Sequence, residues 1–146
     1  MLTISLLKAV HVLSAVLWVG GMFFAYVVLR PSLGVLDPPQ RLLLHTQVFR
    51  RFFLVVWHAM PLILVTGFLM IWLYGGMANL RWPVHTMLLL GLIMSAVFLA
   101  IFFGPYRGFR RTTDHARMAS TLDTIRKLIG VNLVLGLVTI FIAFFN

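Results

Sequence analysis

Cysteine and glutamate are both absent, and the only acids are Asp37, Asp114 and Asp123. Without cysteine there is no disulfide framework, no thiolate-bound zinc or iron–sulfur cluster and no thiol nucleophile. Imidazole, thioether and backbone are the soft or borderline metal ligands that remain. Charged residues are 10% of the 146-residue chain and hydrophobic ones 62%, at a mean hydropathy of +1.04. So apolar a chain is not disordered, and in water it would aggregate. The three aspartates all lie outside the long apolar runs. No Ser-His-Asp set at a workable depth, no intramembrane acid and no phosphate-cradling glycine loop can be assembled, which argues against a hydrolase.

What the chain does have is uncharged stretches: Ala9–Leu29, Phe52–Leu80, Trp82–Tyr106 and Leu128–Asn146, of 21, 29, 25 and 19 residues. Each is near or above the ~20 residues that cross ~30 Å of hydrocarbon as a helix. They are far longer than the ~9–11 residues of a barrel strand and do not alternate in polarity. The expected fold is all-α, an integral membrane four-helix bundle forming one transmembrane domain over residues 1–146, with helices at about 5–29, 40–74, 83–106 and 115–145. The first run is too long for a signal-peptide core and no small-residue cleavage site follows it, so it is read as a retained span. Asp37-Pro38-Pro39 opens the second helix, Gly75-Gly76 closes it, and Pro83 opens the third. Pro61 interrupts the second helix and withholds a donor from the Trp57 carbonyl, beside His58.

Lysine and arginine number 12, giving a net charge of +9. Arg30, Arg41, Arg50 and Arg51 fall in the first connector, and Arg107, Arg110, Arg111, Arg117, Arg126 and Lys127 in the third; only Lys8 and Arg81 lie on the other side. By the positive-inside rule this asymmetry predicts an N-out, C-out topology. Confined to short connectors, the cations read as topology signals and anionic-lipid contacts, with the lipid bilayer as partner and no nucleic acid.

A polar side chain in lipid is a functional candidate, and His11, His58, His85 and Asn132 lie in the apolar spans. His45 and His115 lie in or beside basic connectors and are expected to be solvated. His11 follows Lys8 by three residues and His85 follows Arg81 by four, so both imidazoles sit about 4–6 Å below an outer-side cation. Level histidines on two helices suit a bis-imidazole haem b. Gly20, Gly21 and Gly91 would open a slot for the ring, and Lys8 and Arg81 would meet its propionates. A purely structural reading accounts for the same residues, since small residues let helices approach and cations snorkel. Copper is the alternative metal: Met22, Met60, Met70, Met87 and Met94 supply thioethers within the spans, although no pair of them shares a helical face with a histidine. His58 lies ~10 Å from the opposite face and reads as a local group that satisfies the carbonyls at the Pro61 kink, with a second metal site as the lesser reading.

The run His11-Val12-Leu13-Ser14-Ala15-Val16-Leu17-Trp18-Val19-Gly20-Gly21 resembles the first-helix signature of the copper-resistance D (CopD-like) membrane family. Leu29–Leu33, Arg50–Phe53, Thr66–Phe68, Phe102–Arg107 and Ile125–Leu137 are similar, in the same order, to short four-helix members. The resemblance implies a multi-pass inner-membrane protein of bacterial type concerned with copper uptake or resistance, and it carries over His11, Trp18 and Gly21. The His-x6-Trp-x2-Gly pattern is also similar to the membrane-type protoporphyrinogen oxidase, a haem b protein. That family continues into Leu-Pro-Arg and a second histidine, where this chain reads Leu29-Arg30-Pro31 with no histidine before His45. Three functions are therefore expected in competition: a haem b redox or electron-transfer protein, a copper uptake or resistance protein, and a structural or assembly subunit. Four helices enclose little interior, so a homodimer or a membrane partner protein is expected.

Overall fold

The computed structural model describes residues 1–146 and contains helices and no strand. α1 spans Leu2–Phe23, α2 Pro38–Leu73, α3 Trp82–Phe103, α4 Pro105–Arg111 and α5 His115–Ala143. Four helical segments, Leu2–Val35, Pro38–Leu73, Trp82–Arg111 and His115–Ala143, are long and apolar enough to cross a membrane.

The helix ends follow local chemistry. α1 runs on through a π-helical stretch, Phe24–Leu29, and a further turn, Arg30–Ser32, so the chain stays helical past Arg30. Pro31 has no N–H to donate; the ladder widens just ahead of it, and Ser32 Oγ donates to Val28 O at 2.7 Å. α2 ends where Gly75 and Gly76 take φ of +89° and +100°, with Gly76 N–H donating to Ile71 O at 2.9 Å. Asp114 caps α5 by accepting from Ala116 N at 3.2 Å. Gly104 separates α3 from α4, because a Cβ there would come within 2.6 Å of Ala100 O.

The helices pack as two close pairs, α1 on α2 and α3 on α5, with α1 also lying along α5. Only 24 of 146 residues are buried, while Leu13, Val16, Leu54, Val65, Leu89, Val134 and Phe141 face outward. That surface belongs in lipid, so the chain is a multi-pass membrane protein in contact with the bilayer. Three helices meet at Gly136, where an added Cβ would lie 2.8 Å from a Val19 methyl and 3.1 Å from Met94 Cε. At the end carrying most of the arginines an aromatic cluster joins α2, α3 and α4: Phe53 meets Tyr106 at 4.5 Å and Phe98 at 5.8 Å, and Phe49 meets Phe109 at 5.8 Å between ring centroids. The Arg110 guanidinium lies 4.7 Å from the centre of the Tyr106 ring and adds a cation–π contact.

Candidate functional site

His11 is half-buried on α1 and turned toward α2, where its Nδ1 lies 2.9 Å from Thr66 Oγ1. Thr66 is buried, and its hydroxyl donates to Leu62 O at 2.6 Å and lies 3.2 Å from Ile63 O. A hydroxyl has one proton, and here the helix carbonyls take it, so the oxygen can only accept from His11. The bond thus selects the tautomer with hydrogen on Nδ1, leaving the Nε2 lone pair free. Gly67 provides the seat: a Cβ there would be 3.3 Å from His11 Cε1, tighter than ordinary van der Waals contact. Metal-binding histidines usually have this form, one nitrogen held by a neighbour's acceptor and the other directed to the ion. Thr66 and Gly67 belong to a segment that resembled the family only as a short motif; nothing in their local sequence announces a histidine 55 residues away.

Depth can be counted from Gly136, which meets both Val19 and Met94. His11 is eight residues from Val19 and His85 nine from Met94 toward the same end of the bundle, or about 12 and 13.5 Å along their helices. The two rings are level, yet they have different partners. His85 is exposed, with Nε2 3.2 Å from Leu80 O of its own chain segment. Near Gly21 the space foreseen for a flat ring is filled by Phe52, whose Cε1 would lie 2.6 Å from an added Cβ. Lys8 and Arg81 are exposed and carry no ion pair. Trp18 is buried edge-on to Phe98, with centroids 6.4 Å apart. The residues of the expected haem site therefore lend no support to a bis-imidazole haem: His85 is exposed and bonded to a backbone carbonyl of its own segment, and Phe52 fills the space at Gly21, while Gly20 and Gly91 meet nothing within 4 Å.

Met22 and Met60 are buried in the hydrophobic core with Met94 and Trp18. His58 is exposed and donates Nδ1–H to Leu54 O at 2.8 Å. Its donor goes a turn ahead of its own position, whereas the carbonyl robbed by Pro61 is that of Trp57. Asn132 is buried, donating Nδ2–H to Met94 O at 3.1 Å with Oδ1 unpartnered. The expectation of a solvated His45 is overturned: it is 9% exposed, its ring lies tilted against Phe49 with centroids 5.4 Å apart, and its Nδ1 has no partner. α2 is helical here, as its Asp37-Pro38-Pro39 start predicts, and the phase of that helix turns position 45 inward against the end of the first helical segment.

The fold defines a multi-pass helical membrane protein, with one half-buried imidazole bonded between its first two spanning helices. The profile of the copper resistance protein D family matches residues 46–145, which is most of the chain, and the protein belongs to that family. The match spans α2 to α5 and leaves α1, with His11, outside it. No curated protein and no solved structure matches significantly.

Proposed function

We propose that the protein takes part in copper uptake or resistance at a bacterial inner membrane, receiving the ion as cargo at Nε2 of His11, with both chain termini on the outer side. The observation that carries this reading is the His11–Thr66 bond at 2.9 Å, which consumes one ring nitrogen and frees the other. Imidazole suits copper, and the name of the matching family favours that metal. No three His, Asp or Glu side chains gather into a common site. A single nitrogen is a monodentate ligand and holds an ion weakly, which suits an ion being passed along better than one being stored. A second copy of the chain or a membrane partner is the natural source of further ligands.

The test is Cu(I) titration of the detergent-purified protein against a competing chelator, alongside copper tolerance of cells expressing it. His11→Ala should lose binding and phenotype, while His85→Ala should retain both. Wild-type behaviour of His11→Ala would end the proposal. A Soret band in the purified protein, removed by His11→Ala, would return the function to haem. For topology, single cysteines are introduced beside Gly76 and Arg110 in this cysteine-free chain. The first should react with an impermeant reagent from outside and the second only from the cytoplasm; the reverse pattern would invert the orientation.

A further inference from the structure

At the arginine-rich end, a cavity of about 560 Å³ opens between the Leu33–Val35 turn and the N-termini of α2 and α5. Arg30, Arg41, Arg126, His45 and His115 line it, and no aspartate does. Behind it lies a second space of about 20 Å³ that shares Arg30, His45 and Arg126 and is closed by Tyr26. Such a volume is that of a single water or a single oxygen-sized group.

The cations on this wall are under-compensated. Arg30 has no carboxylate partner and rests on the Tyr26 ring at 5.5 Å from its centroid. Arg41 spends its Nε on the carbonyls of Leu33 and Leu36, at 3.0 and 2.7 Å, which fixes the turn without cancelling any charge. Arg126 pairs with Asp123 at 2.6 Å, but Lys127 holds the other oxygen of the same carboxylate at 3.1 Å. One acid therefore serves two bases. The buried Nδ1 of His45 lies unpartnered beside these guanidinium groups, in a residue nine-tenths removed from solvent. A buried polar nitrogen without a partner, and three arginines with a single carboxylate among them that Lys127 shares, leave this wall short of negative charge and of acceptors. Phosphate oxygens provide both, and arginine is suited to them by its planar fork of donors.

We propose that this cavity is a binding site for a phosphate oxyanion, with Arg30 and Arg126 as the principal ligands, His45 contributing at the inner end and Arg41 holding the turn that forms the rim. The phosphate can be that of an anionic lipid headgroup entering from the bilayer or a soluble phosphate; the chemistry is common to both. The inference is independent of the copper reading, because none of these residues touches His11 or Thr66.

The experiment uses the full-length protein in detergent and follows its thermal melt and native mass spectrum in three arms: phosphatidylglycerol, phosphatidylcholine and inorganic phosphate. Wild type is expected to retain and be stabilised by phosphatidylglycerol and not by phosphatidylcholine. Arg30→Gln/Arg126→Gln should weaken that retention at least tenfold. Arg50→Gln/Arg51→Gln removes equal charge from exposed positions that do not line the cavity, and should leave it within about twofold. Stabilisation by inorganic phosphate alone, lost in the same double variant, would assign the site to a soluble anion. If the glutamine pair does not fold, Arg30→Lys/Arg126→Lys keeps the charge, and it should bind with intermediate strength because the bidentate geometry is gone. Equal loss in the two glutamine pairs would reduce the effect to bulk surface charge and overturn the proposal. So would equal retention of phosphatidylglycerol and phosphatidylcholine, or wild-type affinity in the cavity variants.

Discussion

Replacing Thr66 with valine exchanges a hydroxyl for a methyl of nearly the same size in a side chain that is 4% exposed. The packing of α1 on α2 changes little. Leu62 O, which accepts the hydroxyl at 2.6 Å, remains in the helix ladder. The loss falls on His11, whose Nδ1–H loses the threonine oxygen as its acceptor. An unmade bond to a buried donor costs about 1–3 kcal/mol in water-soluble proteins. Interhelical bonds in membranes measure lower, about 0.6 kcal/mol on average and about 1.7 at most. With a 2.9 Å separation and a buried acceptor, the upper half of that membrane range is expected, about 1–1.7 kcal/mol. A double-mutant cycle of His11→Ala and Thr66→Val, read by unfolding in mixed micelles, isolates this coupling from the packing changes of each single variant. Copper affinity supplies a second readout, since loss of an outer-shell partner lowers it by about 10–100-fold. Thr66→Ser, which retains the hydroxyl, should restore most of both. A coupling within about 0.3 kcal/mol of zero, with copper affinity unchanged in Thr66→Val, would mean that Gly67 holds the ring by shape alone and that the tautomer argument is wrong.

Gly136→Leu should destabilise the bundle by about 1–3 kcal/mol, because a Cβ at that position already reaches to within 2.8 Å of Val19; a melt equal to wild type would show that the three helices can part at this point. Gly75→Ala should cost about 1 kcal/mol through its left-handed φ of +89°, the exposed Asn79 side chain being free to swing aside, measured by the same unfolding assay, with an unchanged midpoint as the refuting result. His58→Gln keeps a donor near Leu54 O and should leave copper affinity unaltered with at most about 1–2 kcal/mol lost; loss of binding with an intact fold would move the copper ligand from α1 to α2.

The elements were legible because the bilayer imposes a length. An uncharged run near twenty residues or longer must become a spanning helix. The punctuation at Asp114, at Gly75-Gly76 and at Pro83 acts through the neighbouring few residues, so it too can be read locally. Histidine in such a run is conspicuous by its cost, which marked His11, His58 and His85 alike as candidates without any knowledge of their surroundings. The direction in which each side chain points was not legible. In a water-soluble helix the apolar stripe marks the inward face, but α1 and α3 are apolar all round and carry no such mark. Thr66 and Gly67 become the seat of His11 only when α1 lies against α2 in one register. The ring that fills the space at Gly21 comes from Phe52 for the same reason. His45 looked solvated among arginines because the charge of a connector was read without its helical phase. The phase of α2 at position 45 turned it inward beside Arg30 and Arg126, from segments far apart along the chain. Lipid removes the contrast between inside and outside that a sequence pattern records, so facing is decided by steric fit and the few polar bonds between helices, which exist only once the helices have met.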